Sequence, residues 1–123
     1  MQSPLEAVNQ YYSAFSTLDL SAIVSYFNEP CMSIGPQGVF TAANRKDLAN
    51  AFASVIEALR AKGYGRSEFA EPEVTMLSES VVLVQGVAVR YSAAGPEMER
   101  LRINYLMHRS DEGWKIAVMV LER

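Results

Sequence analysis

Two adjacent tyrosines, Tyr11 and Tyr12, are the side chains of this sequence best suited to polarise a bound carbonyl group. On a helix they would point about 100° apart, so that one of the two hydroxyls can face a pocket. A tyrosine hydroxyl in such a position donates a hydrogen bond to a ligand oxygen. The alternative is an amphipathic core residue, whose ring is buried and whose hydroxyl reaches the rim of the core.

His108, the one histidine of the chain, is a second weak candidate for a catalytic role. The unperturbed pKa of histidine, about 6.5, suits a general base near neutral pH. The residues that alternate with it along the sequence are Arg100, Arg102 and Asn104. We therefore expect His108 on the polar face of a strand, as a surface or interface residue.

The other ionisable residues are more ambiguous. Glu29, Glu68 and Glu73 are the best acidic candidates for an enzyme, but no acid lies in the middle of an apolar strand, where burial would raise its pKa. Solvated strand edges are the favoured position for all the acids. Arg90 interrupts an apolar segment, and a buried arginine needs a partner such as a ligand carboxylate or a second subunit. Alternatively, its charged end snorkels to the sheet edge.

Length and composition favour a single domain and argue against several kinds of binding site. A chain of 123 residues fits one domain, residues 1–123. The net charge of −3 provides no basic footprint for nucleic acid or an anionic membrane. The single cysteine, Cys31, cannot form an internal disulfide, and with one histidine the chain is short of zinc ligands, so we expect no metal.

No Gly-rich phosphate loop or nucleophile elbow is recognisable, and we expect no cofactor. No signal-peptide pattern and no apolar run near the ~20 residues of a membrane helix is present, which favours a cytoplasmic protein.

Helix signals dominate the first half of the chain. Ser3-Pro4-Leu5-Glu6 predicts a capping box with proline in the first turn. Asp19 can cap a second short helix, which we expect to include Phe27 and to end at Asn28-Glu29-Pro30 because the residue before a proline disfavours the helical region. Asn44 can cap a third helix. A short hairpin around Gly35-Pro36-Gln37-Gly38 is expected between the second and third helices.

Strand signals dominate the second half. Four strands are predicted, at residues 74–77, 81–91, 98–109 and 114–121. Short breaks between long strands predict an antiparallel meander. Helices come first and strands later, so the pattern indicates an α+β domain rather than alternating βαβ units.

The strands also predict which surfaces are buried. Leu101, Ile103, Tyr105 and Met107 alternate with polar residues and define one apolar face. The strand at 81–91 carries apolar residues on both of its faces. The helices can cover only one face of the sheet. We therefore expect a homodimer in which a second copy of the chain covers the outer sheet face.

This order of elements resembles the NTF2-like superfamily, which includes ketosteroid isomerases and SnoaL-like polyketide cyclases. The segments that carry the resemblance are residues 11–15 (YYSAF), 18–23 (LDLSAI), 35–38 (GPQG) and 111–116 (DEGWKI). The resemblance implies a cystatin-like α+β cone, with three N-terminal helices packed on a curved antiparallel sheet. It implies no single activity, because this fold hosts enzymes, binding modules and assembly domains.

The isomerase resemblance assigns three catalytic positions, of which one is matched. Gly35 occupies the position of the catalytic aspartate before the Pro-x-Gly turn, and glycine cannot carry a proton. Tyr11 matches the oxyanion tyrosine, with Tyr12 as a shifted alternative. Depending on strand register, the second oxyanion acid falls at one of three positions, none of them acidic: Asn104, Tyr105 or Leu106.

Apolar and tyrosine side chains from all three helices and one strand would converge inside such a cone. The expected pocket residues are Tyr12, Phe15, Tyr26, Phe27, Phe52, Val55, Ile56, Leu59, Leu101, Ile103, Tyr105 and Met107. They include no Lys or Arg, which favours a small apolar carbonyl compound over a highly charged ligand.

Two functions remain open. One is a small-molecule-binding protein, with cofactor-free isomerase, cyclase or hydrolase activity of SnoaL-like type as an extension. The other is a non-catalytic dimerisation or interaction domain whose cone is filled by its own side chains. A polar group deep in the cone would favour the first function.

Overall fold

A computed structural model of the protein describes residues 2–122. Within this range the elements are α1 (Pro4–Ser16), α2 (Leu20–Val24), β1 (Phe27–Gly35), β2 (Gly38–Ala42), α3 (Arg45–Ala61), β3 (Tyr64–Met76), β4 (Val81–Ser92), β5 (Glu97–Ser110) and β6 (Gly113–Glu122). The predicted α+β cone is confirmed: three helices pack on one six-stranded, mostly antiparallel sheet.

The predicted N-caps begin all three helices. Ser3 Oγ accepts a hydrogen bond from the backbone N–H of Glu6 at 3.1 Å, and the Glu6 carboxylate accepts one from the Ser3 N–H. Asp19 and Asn44 likewise accept from backbone N–H groups in the first turns of α2 and α3. These contacts satisfy donors that a helix start leaves without intrahelical partners.

The second helix is shorter than the sequence predicts. It ends at Val24, and Phe27 instead begins β1, opposite Ile116 of β6. The backbone N–H of Ile116 donates to the Tyr26 carbonyl at 2.9 Å, so β6 engages this segment before the proline is reached. The helical interpretation of Tyr26 and Phe27 was therefore wrong, because a long-range strand pairing outweighs local helix propensity.

The sheet has the strand order β2-β1-β6-β5-β4-β3. All neighbours are antiparallel except β1 and β6, which are parallel. β3 begins at Tyr64, well before the predicted start at residue 74, so Glu68 and Glu73 lie within it rather than before it. Its backbone pairs with β4, and this pairing does not require an apolar alternation in the side chains.

Strand register separates two faces of the sheet. Tyr105 lies opposite Val84 on the inner face, which the helices cover, and it is buried there. Asn104 and Leu106 therefore point to the outer face, which decides the register left open by the sequence. Asn104 accepts a hydrogen bond from Gln85 Nε2 at 2.8 Å on that face.

None of the helices in the described range is long and apolar enough to span a membrane.

Candidate functional site

A small cavity of about 60 Å³ lies between α1 and the inner face of the sheet. Its walls combine apolar residues of β5 with polar side chains, namely Tyr11, Tyr12, Ser67, Arg90, Glu99 and Tyr105. The volume corresponds to roughly two water molecules. We call this space the inner cavity; by itself it accommodates only a small polar group.

A larger groove of about 590 Å³ adjoins the inner cavity. It runs between α3 and the β1–β2 hairpin, and its volume falls in the usual range for small-molecule sites. Phe52, Arg90, Met119 and Leu121 line both spaces, so the two meet at these side chains. We call this space the outer groove.

Tyr12 and Tyr105 form a buried hydroxyl pair in the inner cavity, with 2.7 Å between the two oxygens. α1 brings the first tyrosine and the middle of β5 the second, and the Phe69 ring packs against both at 5.1 and 5.8 Å between centroids. Burial raises the pKa of both hydroxyls. They therefore stay protonated and act as hydrogen-bond donors or acceptors rather than as bases.

Tyr11 lies in the same cluster, with its ring edge-on to Phe27 and Tyr105. Burial raises the pKa of its hydroxyl also, and the nearby charge of Arg90 opposes this rise. Among residues 2–122 no fully buried side-chain polar atom lacks a partner. No hydrogen bond joins the Tyr11 hydroxyl to a described residue, so this hydroxyl retains some access to the cavity space and can donate to a ligand.

Arg90 and Glu99 place charge inside the cone. Arg90 Nη1 lies 3.3 Å from Glu99 Oε2, and the two side chains are 26% and 29% exposed. The guanidinium also lies over the Phe15 ring, 5.4 Å from its centroid. The sequence-based expectation of a pocket without Lys or Arg was wrong, because Arg90 shares the inner face with Ala88 and Leu101.

Glu99 was expected at a solvated edge beside a turn, yet it lines the inner cavity. A signal for it was present in the sequence. Glu99 precedes Leu101 by two positions, so extending the apolar alternation of β5 by one step places it on the inner face. Register then sets it directly opposite Arg90.

The predicted pocket residues fall into two groups. Those lining the cavity or the groove are Tyr12, Phe15, Phe52, Val55, Leu101, Ile103 and Tyr105. Those lining neither are Tyr26, Phe27, Ile56, Leu59 and Met107. Four of this second group are buried in the packed core, and Tyr26 is half-buried against it. These residues are part of the packed core rather than of a pocket wall. Helix periodicity identifies a buried face, but it does not show where along that face space remains open.

The weak catalytic candidates outside the tyrosines lie away from the cavity. His108 is on the outer face, with Nδ1 3.3 Å from Asn28 Oδ1. Glu29 accepts a hydrogen bond from the Arg45 backbone N–H at 2.8 Å, and Glu68 accepts one from the Tyr91 hydroxyl. Glu73 is exposed on β3.

Gly35, at the position of the isomerase base, lines the outer groove rather than the inner cavity. A Cβ atom at this position would meet Leu121 at 3.7 Å, an ordinary contact. Nothing in the packing around a Cβ atom therefore requires glycine here.

The described residues contain no group of three or more His, Cys, Asp or Glu side chains that could hold a metal ion.

Comparison with known proteins identifies one matching family and several structurally similar proteins. A family described as NTF2-like protein (DUF6841) matches residues 5–123. No curated protein matches the chain.

Three solved structures illustrate the structural similarity. An NTF2-like protein of unknown function from Shewanella oneidensis is 19% identical, with 97% of this chain and 95% of that chain covered and a TM-score of 0.76. An NTF2-like protein with a cystatin-like fold from Novosphingobium aromaticivorans is 17% identical, with coverages of 94% and 76% and a TM-score of 0.77. A ketosteroid isomerase-like protein from Erwinia carotovora is 22% identical, with coverages of 94% and 88% and a TM-score of 0.70.

Proposed function

Because the chain belongs to the NTF2-like family DUF6841, whose fold encloses a cone, we propose that this cone binds a small, mostly apolar carbonyl compound. The observation that carries the proposal is the polar cluster of Tyr11, Tyr12 and Tyr105 in a cavity that adjoins a groove of ligand size. Apolar walls with a few convergent polar groups are typical of small-molecule sites.

The chemistry of the cluster fits a carbonyl oxygen. The Tyr11 hydroxyl has no hydrogen-bond partner among the described residues, and burial holds its proton in place by raising its pKa. Such a hydroxyl donates to a carbonyl oxygen and stabilises negative charge that develops on it. The Tyr12–Tyr105 pair supplies a second donor once one of its two hydroxyls turns toward the ligand.

Binding of two simple apolar ketones provides a direct test. We expect 2-nonanone and 4-phenyl-2-butanone to raise the melting temperature of the protein, because a ligand that binds only the native state stabilises it by mass action. Tyr11→Phe should weaken binding by up to about tenfold, the usual value of one neutral hydrogen bond. Tyr91→Phe, which removes a hydroxyl outside both spaces, is the matched control.

The absence of any shift with both ketones, at concentrations up to their solubility, would contradict the proposal. Equal affinity of the wild type and Tyr11→Phe would retain ligand binding but remove the assigned role of this hydroxyl.

A catalytic extension, as a cofactor-free SnoaL-like isomerase, cyclase or hydrolase, requires a proton acceptor beside the tyrosines. The hydroxyls themselves are poor bases because burial raises the pKa of each. Glu99 is the carboxylate that lines the cavity, and it already forms an ion pair with Arg90. Gly35 supplies no base, so chemistry of the ketosteroid isomerase type is not what we propose.

The alternative function is a non-catalytic interaction domain with a filled cone. The polar lining of the inner cavity speaks against it, since a cone closed by its own side chains needs no arginine and glutamate among its apolar residues. An interaction role is compatible with ligand binding where it uses a different surface.

The outer sheet face provides such a surface, and we propose that it forms a homodimer. Apolar residues of four strands lie on this face, and each is half-buried: Met32, Ile34, Leu83, Leu106, Val118 and Val120. Soluble monomers rarely expose a contiguous apolar patch of this kind. Arg102 is exposed on the same face and is available to acids of a second copy, whereas Arg90 faces the cone and is not.

A further inference from the structure

Arg90 is the cationic residue that lines both the inner cavity and the outer groove, and its hydrogen-bonding capacity is largely unused. A guanidinium carries five N–H donors. Within residues 2–122 its single hydrogen bond runs from Nη1 to Glu99 Oε2, at 3.3 Å. The side chain is 26% exposed, and it lines both the inner cavity and the outer groove.

The polar groups around Arg90 in the inner cavity are the hydroxyls of Tyr11, Tyr12, Ser67 and Tyr105 and one carboxylate. The Tyr11 hydroxyl has no hydrogen-bond partner among the described residues, and Tyr11 lines the inner cavity together with Arg90. Glu99 is the one acidic acceptor in the lining. A cavity of about 60 Å³ that is lined by a guanidinium and by hydroxyl groups matches the size and hydrogen-bonding character of one carboxylate group.

The outer groove continues from this point with apolar walls. Phe52, Met119 and Leu121 line it next to Arg90, and Val39, Phe40 and Val55 extend it to the surface, where they are exposed. These three belong to the small set of large apolar side chains that the fold leaves exposed. The site therefore combines a cationic inner end with an apolar outer end.

We infer that the ligand of this cone is an amphipathic carboxylic acid, bound as its carboxylate by Arg90 and Tyr11 with its apolar tail along the outer groove. This inference rests on the proposed ligand-binding function and identifies the chemical class of the ligand. Arg90 is the specificity-determining residue, because its planar fork matches a carboxylate and has no comparable partner in a ketone. The Glu99 carboxylate opposes the bound anion and sets a limit on its affinity.

Matched pairs of probes separate the two ideas. Octanoate and 3-phenylpropanoate carry a carboxylate where 2-nonanone and 4-phenyl-2-butanone carry a methyl ketone on the same tail. Calorimetric titration of the wild type at neutral pH should give a dissociation constant at least about tenfold lower for each acid than for its ketone, the usual advantage of charge-assisted hydrogen bonds.

Three variants test the assignment. Arg90→Gln should weaken binding of the acids by at least about tenfold and binding of the ketones by much less, while the urea midpoint of the free variant reports whether it is folded. Arg66→Gln is the control, because Arg66 has the same two kinds of contact outside the site: an ion pair with Glu68 and a ring contact with Tyr91. Glu99→Gln should lower the dissociation constants of the acids several-fold without changing those of the ketones, because it removes a charge of the same sign as the bound carboxylate.

Each outcome decides between the proposals. If ketones bind and the acids bind no better, the carboxylate assignment fails while the proposed function stands. If the acids bind better than the ketones but Arg90→Gln does not change the affinity for the acids, the role of Arg90 is refuted. If neither acids nor ketones bind the wild type, both proposals fail. Loss of acid binding confined to Arg90→Gln, with the ketones retained, supports the assignment.

Discussion

Burial changes the chemistry of the three cavity tyrosines at the scale of the single residue. In water a phenol ionises near pH 10, but the hydroxyls of Tyr11, Tyr12 and Tyr105 have raised pKa values because their anions would be poorly solvated. They are therefore held as proton donors. The positive charge of Arg90 acts in the opposite direction and lowers the pKa of all three hydroxyls, but burial outweighs it.

A pH dependence of stability follows from these tyrosines. The unfolded chain releases their protons at about pH 10, whereas the folded protein retains them to a higher pH. Their contribution to stability is therefore complete below about pH 10 and decreases as the pH rises toward the folded pKa values. Urea denaturation at pH 8 to 11 should show the midpoint falling above pH 10.

Tyr105→Phe should reduce this alkaline loss of stability, whereas Tyr91→Phe should not. An equally steep fall in the wild type and in Tyr105→Phe would show that the loss arises from other groups.

Close packing of β3 against β4 supports the cavity at the scale of the element. Gly86 lies opposite Ile103 on the inner face, where the Phe69 ring rests directly against its backbone. The same ring packs on Tyr12 and Tyr105. The missing side chain at residue 86 thus lets an aromatic ring approach the floor of the cone and hold the tyrosine pair in position.

Gly86→Ala should destabilise the protein. The added Cβ would lie 2.5 Å from Phe69 Cζ and 2.8 Å from the Ala70 carbonyl oxygen, and the backbone atom cannot move aside easily. Overpacking of this kind costs about 1 to 3 kcal/mol of unfolding free energy, measurable by urea denaturation. Gly35→Ala is the control, because its Cβ meets only Leu121 at ordinary distance; a comparable loss in both variants would count against the packing argument.

The division of the sheet into an inner face, which the helices cover, and an outer face is the main feature of the whole molecule. The helices occupy the inner face and enclose the cavity. The outer face carries half-buried apolar residues around the Gln85–Asn104 hydrogen bond, together with the buried Val87 and Val89. A dimer through the outer face would leave the mouth of the outer groove open, because the groove lies on the other side of the sheet between α3 and the hairpin.

Leu106→Glu should convert the proposed dimer to a monomer. A charge in the centre of the outer face would be desolvated at the interface without a partner. Sedimentation at micromolar concentration should give twice the 13.6 kDa chain mass for the wild type and 13.6 kDa for the variant. Met76→Glu, an exposed apolar position off this face, should leave the dimer intact. A wild type that sediments only as 13.6 kDa would refute the proposal.

Local signals were sufficient for much of this fold. The N-caps at Ser3, Asp19 and Asn44 act through hydrogen bonds that span only two or three residues, so their sequence patterns identify the helix starts correctly. The alternation from Leu101 to Met107 likewise predicts the inner face of β5, because successive side chains of a strand point to opposite sides.

Long-range strand pairing decided those features that local sequence patterns left open or predicted wrongly. The parallel contact of β1 with β6 converts Phe27 from a helix residue to a strand residue, and the pairing of β3 with β4 extends a polar segment into a long strand. The register of β4 against β5 decides that Tyr105 and Glu99 share the cone with Arg90. These features depend on residues far apart in the chain, whose backbone hydrogen bonds leave no pattern in either segment alone. The sequence by itself thus determined the order of the elements and the apolar face of the cone, whereas only the tertiary structure decided the extent of α2 and β3 and which charges lie inside the cone.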